Sequence, residues 1–303
     1  MAKQQSAHST RDERLNLIDR LARWITWPRF IFALVLTFFL TGILFPFYWM
    51  VSSSFKTYAE IGARQPVYIP SALRLDAYLE LFDYWNFGRN ILNSIQVAIP
   101  TSIIAVILST LGAYAIARLR FKGKDLMLNG VLIVYLFPGI LLIIPLFAML
   151  AQIGARLGFE IQDNLPILVL TYLAQTLPVA LYMLANYFRT VPAEIEQAGL
   201  IDGCSRLSVI WRVTLPLSIP ALVSVAIYTF MIAWNEFLYA LVFLNERAMF
   251  TMPIQINTIF NDPSPRPHVV MAASTVMTLP VVILFLALER FLQEGLTAGG
   301  VKG

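Results

Sequence analysis

Charge is scarce in this sequence, and so are the residues that hold metals or close disulfides. Charged residues make up 13% of the 303 positions and apolar residues 58%, where an ordinary soluble domain carries about a quarter charged. A water-soluble fold cannot cover that much apolar surface with so few charges, so the surplus faces lipid. One cysteine, Cys204, excludes an internal disulfide. The two histidines, His8 and His268, stand far apart, and no Cys/His cluster has metal-ligand spacing. No G-x-x-x-x-G-K-[ST] run occurs, so no nucleotide site is visible. A membrane enzyme would need paired carboxylates, a Ser/His couple or metal ligands near the bilayer surface, and those raw materials are missing as well. The net charge of +4 is no signal of nucleic acid, because the basic residues flank apolar runs, where they orient membrane proteins.

What is present is a set of six long apolar stretches. A helix needs about 20 residues to cross roughly 30 Å of hydrocarbon, and the stretches Phe30–Val51, Ile91–Ala117, Leu126–Ala151, Leu165–Phe188, Ile219–Leu244 and Val269–Leu288 qualify. Only the fifth holds an acid, Glu236. Backbone groups in lipid must be satisfied within the segment, which predicts helices. Prolines fall in or at the edge of most of them: Pro46, Pro100, Pro138, Pro145, Pro178, Pro220 and Pro280. The first run is too long for a signal-peptide core and lacks a cleavage site, so the chain is expected to stay in the membrane.

Fifteen of the 22 Lys and Arg residues flank the spans on one side, among them Arg118, Arg120, Lys122 and Lys124 in a single short connection. That side is expected to be cytoplasmic and to hold both termini. Before the first span, Leu15, Leu17, Ile18, Leu21, Ala22, Trp24 and Ile25 share one half of a helix, with Asn16, Asp19, Arg20 and Arg23 opposite. Such a helix either lies along the headgroups or packs on other cytoplasmic elements. The predicted organisation is an all-α membrane protein: residues 1–29 as a cytoplasmic tail with this helix, 30–292 as the six-helix membrane domain, and 293–303 as a second tail.

About thirty polar and amphipathic residues separate the fourth and fifth spans, from Arg189 to Ser218. Pro192 is placed to open a helix, Asp202-Gly203 to end it, and Ser205 to cap the next. Physical reasoning alone leaves two alternatives, a rigid helical handle or an amphipathic loop lying on the bilayer.

The stretch resembles the signature loop of binding-protein-dependent ABC importer permeases: EAA, three residues, G, nine residues, then I-x-L-P. Gln197-Ala198-Gly199 stand at the EAA positions ahead of Gly203, and Val213, Leu215 and Pro216 follow at the matching distance. Ser54-Phe55-Lys56 with Glu60-Ile61, Trp234-Asn235-Glu236-Phe237 and the C-terminal run Gly295, Leu296, Thr297, Ala298, Gly299 through Gly303 resemble the carbohydrate, maltose-type branch. The resemblance implies a type I ABC importer permease fold in a bacterial inner membrane, working by alternating access. It implies a second homologous permease, two ATPase subunits that carry ATP and Mg, and an extracytoplasmic solute-binding protein. No cofactor, metal or catalytic residue is expected in this chain itself.

The same resemblance implies that Glu194, Glu196, Gln197, Ala198, Gly199, Asp202, Gly203, Leu215 and Pro216 form the loop that docks on the ATPase, with the C-terminal run reaching toward the same subunits. Gln197 stands where the family has a glutamate, leaving Glu196, Glu194 or a neutral hydrogen bond for that contact. An acid inside a span is costly in lipid, so Glu236 should face protein or water. It either lines the pathway or fixes two helices, and Trp234 and Asn235 share those alternatives. Tyr172 and Gln175, with Asn93, Gln96 and Tyr228, are candidates to meet a sugar, each also explicable as a packing or helix–helix contact.

Overall fold

The computed structural model describes residues 27–300, and the side chains of all of these except 132, 134 and 292–300. The helix expected over residues 15–25 lies outside the described residues. Among the described residues every regular element is a helix. Five helices are individually long and apolar enough to cross a bilayer: Trp27–Ser54, Phe87–Arg118, Gly139–Leu157, Leu165–Thr190 and the Pro267–Phe291 part of the last helix. The backbone of that last helix stays helical to Gly300, so it runs on into the segment read from sequence as a separate tail.

The first span is apolar on all sides and bears its side chains outward, with Phe38 74% exposed. A helix with no polar stripe has no face to turn to water, and this one leans mainly on the last helix. Its end is tied to a small cap over residues 55–86, where Tyr48 and Ser52 both donate to the carbonyl of Tyr68 at 2.9 and 3.0 Å. Thr57 and Glu60 form a reciprocal capping box around Tyr58–Ile61. Glu60 also accepts from the Ser71 N–H at 3.0 Å, closing the cap on itself.

The second span (Phe87–Arg118) and fourth span (Leu165–Thr190) form the centre. Ala98, Ala105 and Ala113 on one, and Ala180 and Ala185 on the other, are fully buried. Small residues let membrane helices approach closely where no hydrophobic effect drives them together. Gly112 is the extreme case, since a Cβ there would stand 2.7 Å from Leu181 Cδ1. The fifth span joins through polar contacts: Ser102 Oγ donates to the Ala226 carbonyl at 2.9 Å, and Thr229 Oγ1 to Ser102 Oγ at 3.0 Å.

Two of the six predicted spans are not single helices. The third, expected over Leu126–Ala151, divides into Lys124–Tyr135 and Gly139–Leu157. Pro138 has no N–H to offer the preceding turn and forces Phe137 away from helical geometry, so the chain breaks over 136–138 and restarts. The fifth, expected over Ile219–Leu244, ends at Asn235 and resumes as Leu238–Phe243. Its first part has 17 residues, about 26 Å at ~1.5 Å per residue. That helix also meets the preceding run Arg206–Leu217 at a bend of 84°.

Side chains from distant positions brace the cap end of the bundle. Asp163 Oδ1 accepts from the N–H groups of Asn245 and Glu246 at 2.7 and 2.8 Å. Arg89 Nε and Asn93 Nδ2 both donate to the Ala248 carbonyl. Glu80, on the cap helix Asp76–Asp83, is ion-paired with Arg266 at the start of the last helix.

Candidate functional site: a helical hairpin at the opposite end

Residues 191–218 fold as two short arms. Pro192 sits just ahead of the first arm, Ala193–Ile201, with Glu194 and Glu196 in its opening turn, where acids suit the helix dipole. The arm closes through Asp202 N–H to the Ala198 carbonyl, Gly203 N–H to Leu200 and Cys204 N–H to Gly199. Gly203 takes φ +86°, the left-handed conformation in which a side chain is strained. Ser205 Oγ then accepts from the Ser208 N–H at 3.2 Å and starts the second arm, Arg206–Val209.

The second arm widens to a π-turn over Ile210–Thr214 before Leu215–Leu217. Pro216 explains the widening: it donates nothing, and in an α-turn its ring presses on the carbonyl four residues back. The arms pack face to face. A Cβ at Gly199 would meet Val209 Cγ2 at 3.5 Å and Val213 Cγ2 at 3.9 Å, ordinary contact distances. Alanine would therefore fit there, so crowding does not impose the glycine.

The hairpin sorts its residues into two sets. Glu194, Gln197, Ala198, Asp202, Gly203 and Pro216 are exposed, and with them the large apolar side chains of Ile201 (86% exposed), Trp211 (69%), Leu207 and Ile195. Gly199 and Leu215 are half-buried. Glu196 belongs to neither group. It is 4% exposed and faces the bundle, with Oε2 3.0 Å from Arg118 Nε and Oε1 accepting from Thr214 Oγ1 at 3.1 Å. Of the acids weighed as a stand-in at Gln197, Glu194 alone points outward. The pairing of Glu196 is invisible in sequence, because Arg118 reads there as one more basic residue at a span end.

Glu236 follows the break in the fifth span, and its carboxylate accepts the N–H groups of Tyr239 at 2.9 Å and Ala240 at 3.1 Å. It thus caps the restarted helix, and Tyr172 is buried beside it. Trp234 is buried, donates Nε1 to the Met277 carbonyl at 3.1 Å, and stacks on Phe230. Asn235 is exposed, donates to Met231 and borders a hollow of about 380 Å³. Gln175 lines a larger hollow of about 610 Å³ at the break in the third span, together with Tyr135, Phe137, Tyr228 and Tyr239. Its Nε2 is buried with no hydrogen-bond partner among the described residues. Asn93 and Gln96 line a third hollow of about 730 Å³ at the cap end, beside Arg89 and Asp163. The candidates are thus spread over three hollows and the core. The side chains of Gly295–Gly299 lie outside the described residues. Among the described residues no group of three His, Cys, Asp or Glu is placed to hold a metal ion.

Apolar spans around a close-packed centre, with a helical hairpin projecting at one end, define a multi-span membrane protein. Residues 105–297 match the family described as "Binding-protein-dependent transport system inner membrane component", and the chain belongs to it. It is therefore a multi-pass inner membrane permease of the ABC importer class, and not an enzyme. The inner membrane ABC transporter permease YcjP of Escherichia coli is 43% identical over 270 residues, covering 88% of this chain and 94% of that protein. The trehalose transport system permease SugB of Mycobacterium tuberculosis is 35% identical, covering 86% and 93%. The trehalose/maltose transport system permease MalG of Thermococcus litoralis is also 35% identical, covering 86% and 92%. The fold matches a solved bacterial ABC transporter involved in alginate import, with a TM-score of 0.74, 21% identity, and coverage of 88% of this chain and 98% of that one.

Proposed function

We propose that this permease forms half of a pathway for a carbohydrate or sugar derivative, and that the 191–218 hairpin docks on a separate ATPase subunit on the cytoplasmic side. The observation that carries the docking reading is the hairpin's outward face, where Ile195, Ile201, Leu207 and Trp211 stand exposed beyond the charge-rich ends of the second and fourth spans. Exposed aliphatic and aromatic side chains on a protrusion support reading it as an interaction surface. Gln197, exposed beside them, would supply a neutral hydrogen bond, with Glu194 as the nearby acid.

ATP binding would draw a pair of ATPase subunits together, with ATP and Mg held by them. The hairpin would carry that displacement to the spans as a rigid body and open the pathway on the outer side. There a solute-binding protein would deliver its ligand, as the alginate transporter solved with an alginate pentasaccharide-bound periplasmic protein suggests. A second, homologous permease would complete the pathway. The sugar class is supported by the names of the relatives, several of them transport systems for trehalose, maltose or other saccharides. Both termini would be cytoplasmic, a reading supported by the distribution of Lys and Arg, and the C-terminal run Gly295–Gly299 would lie on the ATPase side.

The test is reconstitution in liposomes with the neighbouring permease, ATPase and solute-binding protein. ATP-dependent uptake of at least one mono-, di- or oligosaccharide is the expected result. Uptake of none of them, or assembly without any ATPase, would reject the reading.

A further inference from the structure

The ion pair between Arg118 and Glu196 joins parts of the chain that have no covalent reason to meet. Arg118 is the last residue of the second span, whereas the hairpin hangs from the fourth and fifth. Its guanidinium forks: Nη2 donates to the Val191 carbonyl at 2.8 Å, and Nε lies 3.0 Å from Glu196 Oε2. Glu196 in turn binds Thr214 of the opposite arm through Oε1. One carboxylate thus holds both arms, and one cation holds that carboxylate and the hairpin's entry. The side chains are 12% and 5% exposed, with Tyr114 of the same span buried against Glu196.

A buried pair of this kind is a poor stabiliser, since desolvation offsets most of the attraction, and apolar replacements often do as well. What it does provide is a close charge contact, flanked by the hydrogen bonds from Arg118 to the Val191 carbonyl and from Thr214 to Glu196. The hairpin is also attached through Thr190, through Ile210, which is buried in one apolar cluster with Ala113, Tyr114, Ile116 and Phe188, and through Ser218, where the chain bends by 84° into the fifth span. A push on the outward face could be lost as a change in that bend. With Arg118 in place, the same push reaches the second span through a charged tether as well as through non-directional apolar packing, and that span packs on the fourth and the fifth.

We infer that Arg118 is a positioning residue that transmits movement from the hairpin to the second span, through Glu196 and the Val191 carbonyl. The inference rests on the docking reading above. It predicts a defect in the ratio of solute moved to ATP hydrolysed, with the ATPase still bound.

The experiment uses the assembled transporter in liposomes, with uptake and hydrolysis measured on the same sample. Arg118→Met alone strands a buried carboxylate and risks misfolding, so the decisive variant is Arg118→Met combined with Glu196→Gln, which removes both charges and keeps an acceptor for Thr214. The double variant should retain its ATPase subunits and hydrolyse ATP, while solute moved per ATP falls by about tenfold, within the range of measured coupling between sites. Arg118→Lys keeps the charge but not the fork and should fall between wild type and the double variant. A double variant that keeps the wild-type ratio overturns the inference. So does one that loses the ATPase on purification, because the pair would then shape the docking face. A wild-type assembly that never retains an ATPase removes the docking reading itself.

Discussion

Glu236 and Tyr239 are joined by a 2.9 Å hydrogen bond from backbone N–H to carboxylate, so the one acid of the fifth apolar stretch serves as a helix cap. The break leaves donors of the restarted helix without carbonyl partners, and in an apolar bundle they need an acceptor. Losing such a cap costs about 0.5–2 kcal/mol. Glu236→Ala should therefore lower the thermal midpoint of the detergent-solubilised assembly, whereas Glu236→Gln, which keeps one acceptor oxygen, should lower it less. Equal midpoints for the three proteins would contradict the capping role.

Gly112 and Gly154 both lie where a side chain is crowded, but against different neighbours. A Cβ at Gly154 would meet the Phe159 carbonyl oxygen at 2.6 Å, and backbone does not yield easily. At Gly112 the obstacle is the tip of Leu181, which can turn aside. Gly154→Ala should therefore destabilise by about 1–3 kcal/mol, as overpacking does, and Gly112→Ala by clearly less. Ranking the two midpoints checks the order.

Hydrogen bonds from Ser71 and Thr57 hold the Glu60 carboxyl down at about 2, from an ordinary 4.5. A depressed folded value means that the contribution of this group to the cap is present in full above about 4.5 and is lost as pH falls toward about 2. Hydrogen exchange of the segment 55–75 should stay slow relative to intrinsic rates from pH 7 to 5 and quicken below. In Glu60→Gln that acid-dependent loss should disappear, with exchange faster at neutral pH.

The hairpin was legible in outline because its cues are local. Pro192, Gly203 and Ser205 each act within a few residues of themselves, through a missing donor, a left-handed turn and a hydroxyl cap. Apolar length likewise located the spans, but length cannot register an interruption. Pro138 lies inside a charge-free run and still ends a helix, and Glu236 reads as an isolated acid until the backbone it caps is seen. In sequence Glu196 reads as a docking residue, because only its neighbours along the chain are visible. Its partner stands 78 positions earlier, at Arg118, and turns it inward. Contacts between spans carry no periodic signature, so the pathway candidates Tyr172, Gln175, Trp234 and Asn235 could be chosen by residue type alone. The structure separates them, with Gln175 on the hollow at the third span's break and Trp234 in the core.

The most direct measurement places a photo-crosslinking residue at Ile201, on the outward face of the hairpin, and at Ile144 on the exposed side of the third span, in membranes containing the whole transporter. The account predicts an adduct between position 201 and a nucleotide-hydrolysing subunit, strengthened or weakened by ATP, and no such adduct from position 144. Illumination that attaches position 201 only to lipid, with and without ATP, would contradict it.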